Sequence, residues 1–153
     1  MTANSAEKNL LGIQLIVGLI WLKSVVPKFL EPTFVKNLAP TLTYFSSKNP
    51  LPWYRQFLQS IAIPNASLFA ELTRFGELTA AILLGVTALV ALRKMRLSKI
   101  HELAMVGALT GAWLNLQFGL ASFWTSPASE TLNLLMFVVQ AILVFYHWQT
   151  MKK

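Results

Sequence analysis

Four stretches of the chain are apolar almost without interruption: about Leu10 to Leu30, Leu68 to Leu92, Ile100 to Leu120 and Leu132 to Trp148. Each is close to the roughly 20 residues an α-helix needs to cross the hydrocarbon of a bilayer. Between them lie one long connection, about residues 31–67, and two short ones. Backbone in lipid must satisfy its own hydrogen bonds. The pattern therefore predicts an all-α integral membrane protein, a single four-transmembrane-helix bundle over residues 1–153.

The long connection is more than a linker. Pro32, Pro40, Pro50, Pro52 and Pro64 punctuate it, and Ser46-Ser47-Lys48-Asn49-Pro50 reads as a turn. Beyond that turn Trp53, Tyr54, Phe57, Leu58 and Ile61 recur at helical spacing, with Arg55, Gln56 and Gln59 opposite. That spacing predicts an interfacial amphipathic helix between helices 1 and 2, serving as an anchor or as a lid over the bundle.

Polar residues inside the spans come next, because lipid solvates charge poorly. Glu71, Arg74 and Glu77 stand at i, i+3, i+6 where the second span begins. A charge at mid-helix costs roughly 2.5–3.5 kcal/mol on insertion scales, so such groups face protein or a cavity. Lys28 ends the first span, Asn115 lies near the end of the third and Asn133 begins the fourth. With alternating spans all six reach one end of the bundle, which predicts a polar pocket there. Arg74 is placed to bridge Glu71 and Glu77, and Arg74, Lys28, Asn115 and Asn133 are the expected substrate-binding residues. Glu71 and Glu77 are the expected catalytic carboxylates, Glu77 lying deepest as proton carrier. The plainer alternative is that this cluster only fastens helices.

Two further stripes run along the later spans. Gly107, Gly111, Asn115 and Gly119 recur every four residues, a small-residue face for close helix approach. Asn133, Gln140 and His147 repeat every seven and suit interhelical hydrogen bonding.

Composition and charge narrow the function. The chain is 55% apolar and 12% charged, with mean hydropathy +0.54, against about 25% charged in soluble domains. Cysteine and aspartate are absent, which excludes disulfides, thiolate metal sites and a cysteine nucleophile. No metal site is expected. The net charge of +7 is concentrated at Arg93, Lys94, Arg96 and Lys99 and at the terminal Lys152 and Lys153. That distribution is membrane topology rather than a nucleic-acid surface. The short basic connection marks the cytoplasmic side, so both termini are cytoplasmic and residues 31–67 and 122–130 lie outside. A bacterial-type inner or plasma membrane is the expected location. No small-x-small cleavage site follows the first span, where Lys23, Pro27 and Lys28 stand instead, so a retained helix is expected. His101 and His147 share a depth at the basic end, but both positions are ordinary interfacial ones, and haem is not expected.

Trp21…Lys28-Phe29, then Phe69-Ala70-Glu71…Gly76-Glu77-Leu78…Leu83-Leu84-Gly85, and the late Asn133 resemble the DoxX/DoxD family of small four-helix membrane proteins. The family's frequent Gly-rich Ser-Leu-Asp ending is replaced here by Trp148-Gln149-Thr150-Met151-Lys152-Lys153. The DoxD branch implies the small membrane subunit of a thiosulfate:quinone oxidoreductase. The wider family implies a membrane protein with assorted redox associations. Two function classes follow. In one, a quinone-linked oxidoreductase subunit receives an anion at Arg74 and Lys28 and moves protons through Glu77, with quinone admitted to the apolar bundle and no cofactor bound covalently. In the other, a non-catalytic accessory or assembly subunit serves a larger complex. A partner subunit besides the lipid bilayer is expected in both, a homo-oligomer is compatible with either, and a small transporter ranks third.

Overall fold

The computed structural model describes residues 5–31 and 33–152. The elements are α1 (Ser5–Leu30), α2 (Thr33–Lys48), α3 (Pro52–Phe57), α4 (Ala66–Leu92), α5 (Ile100–Ser122) and α6 (Pro127–Met151). Among the described residues there is no strand. Helix α3 runs on into one wide π-helical turn, Leu58–Ala62, and a 3₁₀ turn, Phe123–Thr125, follows α5. Four helices (α1, α4, α5 with its 3₁₀ turn, and α6) are long and apolar enough to cross a membrane.

Helices run past the apolar stretches that announce them, because caps and not hydropathy end a helix. Apolar sequence in the fourth stretch begins at Leu132, yet α6 starts at Pro127. Ser126 accepts the Ser129 N–H at 3.1 Å, and Pro127 takes the first helical position, where no N–H is required. At the other end, α4 stops where Lys94 adopts φ 54°. The Met95 N–H bonds back to the Val90 carbonyl, closing the helix C-terminus with a left-handed residue. Lys99, at φ 59°, begins α5 in the same conformation.

The long connection departs from expectation. It holds two helices instead of one, because Pro40 lies inside α2 without ending it. Ser46, Ser47 and Lys48 belong to α2, and the turn is confined to Asn49–Leu51, where Asn49 Oδ1 accepts the Leu51 N–H at 3.0 Å. Pro32 and Lys153 lie outside the described residues. The apolar face of α3 also divides. Tyr54, Leu58 and Ala62 are buried, while Trp53 is 60% exposed and Ile61 points outward. The segment covers the bundle with one side and presents aromatic surface with the other.

Helices α1, α4, α5 and α6 pack in chain order, each beside the next, and α1 and α6 meet only along a narrow seam. Ala80, Ala81, Leu84, Ala88, Ala104 and Ala108 fill the interior. Small residues let backbones approach, since between apolar helices close packing must replace the hydrophobic drive. Gly18 is the tightest case. A Cβ there would lie 2.7 Å from the Gly85 amide nitrogen and 2.9 Å from Gly85 Cα. Helices α2 and α3 and the α5–α6 connection sit together at one end, called here the capped end. The Arg93–Lys99 connection marks the other, the basic end.

Candidate functional site at the capped end

Five residues from four helices meet just inside the capped end: Ser24 and Lys28 of α1, Glu77 of α4, Asn115 of α5 and Asn133 of α6. The Glu77 side chain is wholly buried, and it is neutralised on the spot. Lys28 Nζ donates to Glu77 Oε1 and also to Ser24 Oγ at 3.2 Å, while Ser24 Oγ donates to Glu77 Oε2 at 3.2 Å. These three side chains form a closed ring of hydrogen bonds. Both carboxylate oxygens are used, and a buried charge is tolerable only on such terms.

Around this ring lie two cavities. The smaller, about 410 Å³, has a mainly apolar wall into which Lys23, Lys28, Glu77, Asn115 and Asn133 bring polar groups beside Trp21. The larger, about 740 Å³, lies under α2 and α3 and is apolar, with Phe34, Phe45, Phe57, Phe69 and Trp113 among its lining. Lys28, Phe118 and Asn133 belong to both walls. The ammonium of Lys28 lies 5.2 Å from the Phe34 ring centre and 5.9 Å from that of Phe118, so it faces aromatic surface on the large-cavity side. Tyr54 reaches down from α3 and donates its hydroxyl to the Gln117 carbonyl at 3.1 Å. Burial pushes its phenol up to about 12 from the usual 10.0. Asn49 Nδ2 donates to the Leu120 carbonyl at 2.7 Å, a second tie between cover and bundle.

The expected six-residue convergence is therefore met by four residues. Glu71 and Arg74 line neither cavity. Arg74 does not bridge Glu71 and Glu77. Its guanidinium pairs with Glu71, donates to the Lys28 carbonyl at 3.3 Å and stacks 4.8 Å from the Phe29 ring centre. The helical step explains the split. Positions 71 and 77 are separated by about 120° around the axis and about 9 Å along it. Glu77 thus turns inward below the level at which α1 ends. Arg74 instead covers the last carbonyls of α1, which have no helical partner of their own.

Polar residues outside the Glu71–Arg74–Glu77 stripe complete the interior. At the seam, Trp21 Nε1 donates to Gln140 Oε1 at 3.0 Å, and Gly111 makes the room, because a Cβ there would collide with that Gln140 oxygen. Towards the basic end, Gln14 Nε2 donates to the Leu84 carbonyl at 3.0 Å and to Thr87 Oγ1 at 2.7 Å. Gln14 Oε1 meets His147 Nε2 at 2.8 Å, and His147 Nδ1 meets His101 Nδ1 at 3.0 Å. Gln140 and His147 thus join helices, as their stripe suggested, whereas Asn133 bonds within its own helix. Gln14 and Thr87 carried a visible signal, since each interrupts an apolar run. Ser24 did not, because a serine near a helix end is commonplace.

No protein-family model matches this chain, and no curated protein and no solved structure shows significant similarity to it.

Proposed function

We propose that the protein is a small integral membrane subunit that binds a quinone-type ligand at its capped end, within a quinone-linked oxidoreductase whose partner supplies the electrons. The resemblance to the DoxX/DoxD proteins and the two-chamber geometry support the same reading from separate directions. In this reading the basic end is cytoplasmic with both termini, and α2 and α3 lie in the outer interface. Trp53 and Ile61 then reach the headgroup region, while Tyr54 and Leu58 close the chamber.

The carrying observation is the 740 Å³ apolar chamber with the Lys28 ammonium in its wall. Ligand sites are typically concave, mostly apolar and 300–1,000 Å³ in volume, with a few polar groups that fix orientation. Here aromatic side chains fit the flat ring and the apolar tail of a quinone, and Lys28 and Tyr54 are the orienting groups. When bound, a quinone supplies an acceptor for two electrons and two protons. The chain's own part is to orient it. Lys28 holds N–H groups at Nζ that it can present to a ligand oxygen, and Ser24 and Glu77 hold that ammonium in place.

A second reading rests on the same ion pairs. Lys28 and Arg74 are each already matched to a carboxylate, which suits an accessory subunit whose polar groups fasten helices. Purification from native membrane separates the two. The proposal expects quinone in the organic extract of the pure protein, and an azidoquinone photolabel incorporated into α2–α5 peptides. Its failure would be a quinone-free protein that the photolabel marks no more than it marks a lipid-facing helix. Topology is tested by a single cysteine at Ser126→Cys, the native chain having none, which should label only from outside the cell.

A further inference from the structure

The capped halves of the four long helices hold three basic side chains, Lys23, Lys28 and Arg74. Two are matched, Lys28 to Glu77 and Arg74 to Glu71. Lys23 has no ion pair among the described residues. It stands seven residues before the end of α1, about 10 Å below it along the axis. An unpaired charge at that depth in a membrane is costly unless an anion or water meets it.

Its surroundings call for an anion. Lys23 shares the wall of the 410 Å³ chamber with Lys28, Glu77 and Asn115. Both oxygens of Glu77 are engaged by Lys28 and Ser24, so this carboxylate has nothing left for Lys23. Two ammoniums against one carboxylate leave the wall with a single positive charge in excess. The hydrogen-bonding balance leans the same way. Lys23 keeps its N–H donors free, and Lys28 keeps the one that Glu77 and Ser24 do not take. Asn115 spends one Nδ2 hydrogen on the Gly111 carbonyl at 3.1 Å and keeps the other. The chamber is therefore built for a ligand that is anionic and rich in acceptors.

The mouth identifies the kind of anion. Ile20 of α1 and Leu132 of α6 belong to the same wall and are 42% and 57% exposed. The chamber thus opens sideways between α1 and α6, where those helices share only a narrow seam. Ile13, Ile16 and Ile20 continue the Lys23 face of α1 towards the basic end, and all three are exposed. A charged pocket sits at the head of an apolar track. We propose that the small chamber is the headgroup site of an anionic phospholipid. A monoanionic phosphodiester at Lys23 and Lys28 cancels the excess charge, and an acyl chain lies along the Ile13–Ile16–Ile20 face. Basic pockets between membrane helices are favourable sites for such headgroups. A choline headgroup brings its own cation to a wall that is already positive, and it binds more weakly. The lipid closes the α1–α6 seam and leaves the large chamber to its own ligand, so the proposal stands apart from the quinone reading.

The test uses the full chain in lipid-free detergent, to which phosphatidylglycerol or phosphatidylcholine with the same acyl chains is added. Native mass spectrometry and the rise in melting temperature read the binding. Phosphatidylglycerol should bind roughly fivefold tighter or better, the factor that one lysine beside an anionic headgroup supplies. Lys23 is exposed, so its replacement leaves the fold intact. Lys23→Met should bring the two lipids to equal affinity, and Lys23→Arg should keep the preference. Lys48→Met, which removes an exposed lysine of α2, should keep it too. Equal binding of the two lipids by the native chain, or a preference that Lys23→Met leaves intact, would overturn the site. A preference lost equally in Lys48→Met would assign it to general surface charge and overturn it as well. Inorganic phosphate separates a free anion from a lipid: it should not displace phosphatidylglycerol, and displacement would overturn the lipid assignment. A lipid-free dimer that Lys23→Met dissociates would give the seam to a second copy of the chain instead.

Discussion

Lys28→Met removes a charge and keeps the length and apolar stem of the side chain. Its partner Glu77 is wholly buried, whereas Lys28 keeps 22% of its side-chain surface exposed. The variant leaves a buried carboxylate with a single serine hydroxyl, and breaking one side of a buried pair typically costs about 3–5 kcal/mol. For a chain of this size each kcal/mol moves the melting temperature by about 2–4 °C, so a drop of roughly 6–20 °C is expected. Melting in detergent, followed by helical circular dichroism, reads it directly. Lys23→Met is the control: Lys23 is exposed and has no ion pair among the described residues, and its loss should stay within about 0.5 kcal/mol. Adding Glu77→Gln to Lys28→Met should recover most of the loss, because the orphaned charge is gone. Adding it to Arg74→Met should recover nothing, since Arg74 has neither an ion pair nor a hydrogen bond with Glu77. If Lys28→Met melts with Lys23→Met, the ion pair is not a structural element and the reasoning fails.

Backbone contact gives a sharper contrast between two glycines of one helix. Gly18→Ala forces α1 away from Gly85 and should cost about 1–3 kcal/mol, whereas Gly12→Ala meets open space and should be neutral or stabilising; equal melting points would refute the close approach. The Tyr54 phenol ionises later in the folded protein than in the unfolded chain. The unfolded chain therefore releases that proton first, and stability should fall as pH rises from about 10 to about 12. Tyr54→Phe should lack this fall, and the difference in phenolate absorbance between the two proteins measures it. His147 spends both ring nitrogens inside the bundle, Nδ1 on His101 at 3.0 Å and Nε2 on Gln14 at 2.8 Å. The pure protein should accordingly show no b-type Soret band, and a band lost in His147→Ala would refute this.

Much of the architecture was legible because helices long and apolar enough to cross a membrane announce themselves by length. The ends of the helices were not, since Ser126 and Lys94 act through caps that hydropathy ignores. Helix α2 was hidden by Pro40, which reads as a break and yet removes only one hydrogen bond from a helix held by its packing on α4. Within the site, depth counted from alternating spans brought Lys28, Glu77, Asn115 and Asn133 to one level. It misjudged Glu71 and Arg74, because a stripe at three-residue spacing drifts around the helix and only Glu77 reaches the interior. The large chamber had no sequence signature at all. It arises from where α2 and α3 fold back, and nothing in their composition distinguishes a cover from an anchor.

The polar line at the basic end has a direction. Gln14 Nε2 must point at the Leu84 carbonyl, so Gln14 Oε1 is an acceptor, and His147 Nε2 carries the hydrogen between them. A neutral His147 then has only a lone pair at Nδ1, so His101 Nδ1 is the donor. Thr87 in turn passes its own hydrogen to the Leu83 carbonyl. Every O–H and N–H from His101 through His147, Gln14 and Thr87 thus points the same way, inward from the basic end, and the series stops on backbone oxygen. No member can be reversed alone. The one ring nitrogen of the pair left with a free lone pair is the outer nitrogen of His101, Nε2. The line is a one-way fitting that fixes the tautomers of both histidines.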